Sequence, residues 1–159
     1  MRPAVVFSAA LILSVASVTF AGGETDVAIV VNKANKTDTI SSKDLKQIFA
    51  GEKTRWPSGG AIITLATGAA APEHKTAIRF LFGMSEPDYQ KYCIHAAFVG
   101  EPQKVPRDSG ESAKVLSLVS VIPGAVGFVR AGLVTPAVKI LKVDGMAPGD
   151  SGYPISGEK

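Results

Sequence analysis

Two histidines and one cysteine, His74, Cys93 and His95, hold the imidazole and thiol chemistry of the chain. Cys93-x-His95 together with His74 could supply metal ligands, but the spacing fits none of the standard zinc patterns. A Cys–His nucleophilic pair needs thiol and ring within hydrogen-bond reach. On a helix, residues 93 and 95 point about 200 degrees apart. The better reading is a buried core cysteine and two ordinary histidines. Arg55-Trp56 could present a cation or a stacking face at a rim. Its plainer reading is a packing tryptophan at a corner beside a solvated arginine. Tyr89 and Tyr92, three apart, fit helix packing. There is no Walker loop, dinucleotide fingerprint or pair of catalytic carboxylates. The expectation is a non-enzymatic protein with no cofactor and no metal.

The elements that must position these residues are organised around Ser41 to Leu65. Ser41 or Ser42 can cap a helix, because a short hydroxyl accepts from backbone N–H groups that the first turn leaves unpaired. Asp44 then sits near the positive end of the helix dipole. Leu45, Ile48 and Phe49 form one apolar stripe, and Gly51 suits the left-handed residue that ends a helix. Trp56-Pro57 forces an extended corner, Ser58-Gly59-Gly60 turns the chain, and Ala61 to Ala66 reads as a short buried strand.

Around that stretch, Thr25 to Val31 reads as a buried, β-branched strand and 32–39 as a polar loop. Pro72 suits the first position of a helix carrying Ile78, Leu81 and Phe82 and ending at Gly83. Ser85 with Asp88 resembles a capping box with Asp in place of Glu, opening a helix that runs to about Phe98. A proline-containing loop covers 101–110. Asp108 or Ser109 is expected to cap the next helix, with Ala113, Leu116 and Val119 or Ser120 on its inner face. Ala125 to Val129 and Val138 to Val143 read as strands, the second nearer an edge because it alternates with lysine. The tail from about residue 148, rich in Gly, Pro and Ser, reads as poorly ordered. The order β-α-β-α-α-α-β-β implies an α/β domain with a mixed central β-sheet flanked by helices.

The N-terminal order of Arg2, an apolar run from Ala4 to about Val18 and Thr19-Phe20-Ala21 reads as a secretory signal peptide. The run is shorter than the roughly 20 residues a membrane span needs. Cleavage is expected after Ala21, leaving 22–159 as one domain in the periplasm or otherwise outside the cytoplasm, with no stable membrane insertion. Lys and Arg number 17 against 14 Asp and Glu, a formal charge of +3, and the lysines are scattered. A clustered basic face for nucleic acid is absent from this pattern. A single cysteine excludes an internal disulfide.

Several of these stretches resemble phosphate-type periplasmic substrate-binding proteins. They are Leu45-x-x-Ile48-Phe49-x-Gly51 followed by Trp56, Val30-Val31-Asn32 after Ala28-Ile29, and Ile122 to Val129. Val143-Asp144-Gly145, Pro148 and Gly152-Tyr153-Pro154 complete the set. The resemblance implies a single periplasmic-binding-protein-like lobe. It also implies a role with an ABC-type uptake system and an oxyanion, phosphate foremost, as ligand. In such receptors an arginine and a Gly-Ser-Gly-Thr-type loop at a helix N-terminus cradle the anion. The corresponding stretch here, 65–76, lacks the arginine and the Ser-Gly-Thr run, and Glu73 places a negative charge there. Thr67, Gly68, His74, Lys75 and Thr76 are the candidate anion-binding surface that the resemblance leaves. A micromolar receptor needs about 8 kcal/mol from both lobes, so half of that gives roughly millimolar affinity. Weak binding is therefore expected. The alternative is an envelope interaction module that kept the fold and lost the ligand, docking on a transporter or sensor ectodomain. An open cleft face would also allow a homodimer.

Overall fold

A computed structural model describes residue 23 and residues 25–157. The expected signal peptide, residues 1–21, lies outside the described residues. Among them, no helix is long and apolar enough to cross a membrane.

The chain forms a six-stranded mixed sheet with helices on both faces. In chain order the strands are β1 (Val27–Asn32), β2 (Thr39–Ile40), β3 (Ile63–Ala66), β4 (Arg107–Asp108), β5 (Ala125–Arg130) and β6 (Val138–Val143). The helices are α1 (Ser42–Phe49), α2 (Pro72–Phe82), α3 (Glu86–Phe98) and α4 (Ser112–Val121). The spatial order is β2-β6-β1-β5-β3-β4. The central β1 runs antiparallel to β5 and β6, while β3 is parallel to β5 and β4.

β1 is buried along its whole length because both faces are covered. Val27, Ile29 and Val31 point into the larger core with Leu45, Phe49, Ile78 and Phe128. Ala28 and Val30 point the other way, against Val115, Leu116 and Val119 of α4. Asn32 closes the strand, donating from Nδ2 to the carbonyls of Val119 at 2.8 Å and Ser120 at 3.0 Å. Those carbonyls belong to the last turn of α4, which the helix itself leaves unpaired.

The organising stretch folds as its residues dictate. Ser41 caps α1 by accepting from the Asp44 N–H at 3.0 Å, and Gly51 follows at φ +73°. A Cβ there would also lie 2.4 Å from the Gln103 carbonyl oxygen, so only glycine fits. Trp56 is buried and donates from Nε1 to the Gly124 carbonyl at 3.0 Å. Ser85 caps α3 by accepting from the Asp88 N–H at 3.3 Å, and its hydroxyl donates to the Asp88 carboxylate at 2.7 Å. The side chains thus pair with each other, and the reciprocal bond of a capping box is not made.

Several expectations are corrected. The strand expected from Ala61 begins at Ile63, because Ala61 instead bridges back to Arg55. Two short edge strands, β2 and β4, lie in what reads as loop, since two-residue strands carry no periodic signal. α4 starts at Ser112 after Glu111, not at Asp108 or Ser109. The Asp108 carboxylate is used locally, accepting from the Gly110 N–H at 2.8 Å. The inner face of α4 accordingly includes Ser112 and Val115, while Ala113 is exposed. Cys93 is half-buried, not buried.

The tail is the largest correction. Tyr153 and Ile155 are buried in the larger core. The Tyr153 hydroxyl donates to the Val27 carbonyl at 2.8 Å, and the Val27 N–H donates to the Ile155 carbonyl at 2.9 Å. The Asp26 carboxylate accepts from the N–H groups of Gly149 and Gly157. Glycine and proline there shape turns around two anchoring side chains; they do not loosen the chain.

Candidate functional site

The loop from β3 into α2, residues 67–71, leaves the sheet beside the loop that enters α4. Gly68 donates its N–H to the Gly110 carbonyl at 2.7 Å, and Ser109 donates its own to Ala66 at 2.9 Å. These two bonds hold the first turns of α2 and α4 side by side. Neither helix has a side-chain N-cap. The first turns of both helices line one cavity, and helix N-termini favour an anion.

The chain's own carboxylate sits between those first turns. Glu73, in the first turn of α2, is only 3 % exposed and accepts a hydrogen bond from the Ser112 hydroxyl at the start of α4. Pro72 in the same turn has no N–H to offer. That cavity, of about 530 Å³, opens beside the pair, lined by Gly68, Pro72, Glu73, Glu111, Ser112 and Arg130 among others. Arg130, from the end of β5, is the cation of that cavity.

A second cavity, of about 440 Å³, lies across α2 from the first and reaches between β3, α3 and the β4 segment. His74 is buried there at 4 % exposure, its Nδ1 2.5 Å from the Thr67 carbonyl oxygen. A carbonyl oxygen only accepts, so Nδ1 carries the proton. The other nitrogen, Nε2, faces Glu86 Oε2 at 3.5 Å. Tyr89 meets the ring edge-on at 5.9 Å between centroids, and Phe128 lies behind it at 6.1 Å. Burial raises the Tyr89 hydroxyl and the Cys93 thiol above their ordinary pKa ranges, so both are neutral at physiological pH. A protonated thiol is a poor nucleophile.

Of the residues expected to form one anion-binding surface, the structure brings Thr67 and His74 together in the second cavity and places Gly68 on the first. Lys75 is exposed and Thr76 half-buried, and neither lines either cavity. His95 is exposed, away from the half-buried Cys93 on the same helix. Sequence reasoning missed Ser112, Arg130 and Glu86. Ser112 and Arg130 are distant in the chain with no local signature, and Glu86 follows a capping serine, where an acid is already explained by the helix dipole.

A larger groove of about 650 Å³ runs past Ile40, Ile48, Trp56 and Pro57. Its charged groups are already engaged. Lys53 pairs with Asp44 at 2.5 Å, Asp144 accepts from Ser42, and Arg55 donates to the Gly59 carbonyl at 3.2 Å.

No family model matches the chain. Solved structures do. An ABC-type phosphate transport receptor from Vibrio cholerae superposes with a TM-score of 0.60 at 22 % identity, covering 77 % of this chain and 48 % of the receptor. PstS from Borrelia burgdorferi gives 0.58 at 15 % identity over 84 % and 55 % of the two chains. A phosphate-binding protein from Stenotrophomonas maltophilia gives 0.57 at 21 % identity over 84 % and 51 %. The chain thus has a PstS-like α/β fold, that of a periplasmic-binding-protein lobe. It spans about half the length of the proteins it matches.

Proposed function

We propose that this chain works outside the cytoplasm as a non-enzymatic, solute-binding-type lobe connected with an ABC-type uptake system, and that it holds free oxyanions weakly. The single observation behind the word weakly is the Glu73 carboxylate seated between the first turns of α2 and α4 on the Ser112 hydroxyl. A free anion approaching the same N–H groups meets a like charge and a donor already in use. Arg130 offers one cation in the neighbouring cavity against Glu73 and Glu111, so the expectation is weak binding and not tight capture.

Calorimetric titration with phosphate, on the wild type and on Glu73→Gln, tests this. The wild type should bind in the millimolar range, about 4 kcal/mol of binding free energy, and the variant at least tenfold tighter, about 1.4 kcal/mol more. Micromolar phosphate binding by the wild type would sink the proposal.

A second reading, an envelope interaction lobe with no solute ligand, draws on the outer face of α3. Ile94 and Phe98, one turn apart, are 70 % and 89 % exposed, and Val99 extends the patch. Exposed apolar side chains grouped in this way are typical of docking faces. Absence of heat from both proteins up to about 10 mM phosphate would favour it.

A further inference from the structure

Two opposite charges stand unpaired on the wall of the first cavity. Arg130, at the end of β5, is half-buried, and Glu111, just before α4, is exposed. Both line the cavity of about 530 Å³. Among the described residues neither side chain makes an ion pair or a hydrogen bond, so they do not reach each other. Glu73, the third charged group of the lining, is buried and already holds the Ser112 hydroxyl. Opposite charges that share a cavity but no bond leave a gap that a solute with two charges of its own can bridge.

The rest of the wall is small or apolar. Pro72, Ala113 and Leu133 face the same space, with Gly68 and Gly110 beside them. A cavity of this size is in the range that encloses organic ligands, and its apolar wall has nothing to hold on an inorganic ion.

Charge then selects among organic solutes. A plain carboxylate is attracted by Arg130 and repelled by Glu111; a plain amine meets the converse. A molecule carrying both groups is attracted at both ends. Its carboxylate matches the planar fork of the guanidinium, and its ammonium has the Glu111 carboxylate. The same acid that weakens a free anion strengthens a zwitterion.

We propose that this cavity takes an α-amino acid with an apolar side chain, its carboxylate on Arg130, its ammonium on Glu111 and its side chain against Leu133. The inference rests on the reading of the chain as a solute-binding lobe and names the class of solute that this same site prefers.

Calorimetric titration of the chain with leucine, isocaproate, isoamylamine and phosphate, at one ionic strength and neutral pH, tests it. Isocaproate is leucine without the ammonium, and isoamylamine is leucine without the carboxylate. Leucine should bind with a midpoint below about 1 mM, at least tenfold more tightly than the other three, the effect of one added hydrogen bond to a charged group. Glu111→Gln should weaken leucine about tenfold and tighten phosphate, opposite directions that a damaged fold could not produce. Arg130→Gln should weaken leucine and isocaproate alike. Leu133→Asn should weaken leucine more than glycine. Leucine no tighter than isocaproate, or unchanged in Glu111→Gln, overturns the inference, and phosphate bound at millimolar strength in the same experiment leaves the oxyanion reading standing. Leucine bound with no heat from phosphate supports the inference and overturns that reading instead. Silence from every solute up to about 10 mM overturns both.

Discussion

Glu73 and Ser112, 39 residues apart in sequence, join the first turns of α2 and α4 through a hydroxyl that donates to a buried carboxylate. The bond does two things at once. It gives a buried carboxyl group its partner, and it ties together two helices that pack on opposite faces of the sheet. Ser112→Ala removes the donor and leaves the carboxylate. The expected cost is about 1–3 kcal/mol, the desolvation penalty of a buried group left without its partner. Urea unfolding checks this through a lower midpoint at unchanged slope. A cost near zero would mean that Glu73 finds water instead.

The tail supplies a second prediction. Tyr153→Phe removes only the hydroxyl that donates to Val27, and should cost about 1 kcal/mol. Ile155→Ala should cost more, about 2–5 kcal/mol, because it leaves a void in the main core. If both substitutions proved neutral in urea unfolding, the tail would not be part of the folded unit.

Gly124 offers a sharper steric case. A Cβ at this position would lie 1.9 Å from the Ala61 carbonyl oxygen, which is backbone and cannot swing aside. The same residue accepts the Trp56 indole hydrogen bond, so any shift also loosens the corner. Gly124→Ala should cost about 3 kcal/mol. Thermal unfolding checks it, and a comparable loss of Trp56 fluorescence blue shift would locate the damage.

Helix ends and the main strands were legible because their determinants are local. Ser41, Ser85, Gly51 and Gly83 each act within a few residues, and β1 and β5 are β-branched or apolar runs bounded by polar or turn residues. The sites were not legible for the opposite reason. His74 looks like a surface ligand beside Lys75 and Thr76, but the helix turns it inward onto Thr67 and Glu86. Ser112 and Arg130 reach Glu73's neighbourhood only through sheet topology. The tail misled because composition reports backbone freedom, whereas burial of Tyr153 and Ile155 against β1 is a long-range event.

Ser42 and Asp144 carry a pH prediction. The Ser42 hydroxyl and N–H both donate to the Asp144 carboxylate, which holds its pKa below the ordinary value. A carboxylate with a depressed folded pKa adds stability above the unfolded pKa, near 4, that is lost as pH falls through the folded value. Ser42→Ala removes the hydroxyl, the larger cause, and keeps the N–H. The Asp144 midpoint followed by carboxyl-carbon NMR should rise toward the ordinary value without reaching it. An unchanged midpoint would show that solvent screening at this exposed site already cancels the hydroxyl's effect.

Cys93 tests the second cavity from the opposite side of the pH scale. Burial raises its thiol pKa, with Tyr89 its hydrogen-bonding neighbour. A raised pKa on an acid means that the folded state keeps the proton longer. The resulting stability is present below the unfolded thiol pKa, about 8.5, and is lost as pH rises through the folded value. Alkylation by iodoacetamide reads the thiolate directly. Its pH–rate midpoint in the native protein should lie above that of the same residue in urea, and the native rate at neutral pH should be lower. Because Cys93 lines the cavity beside Glu86, a carboxylate facing the thiol also disfavours the thiolate. Glu86→Gln should therefore lower the midpoint part of the way, while burial keeps it above the value in urea. A native midpoint at or below the unfolded one would mean that the thiol is solvated, and the cavity wall would not be closed on that side.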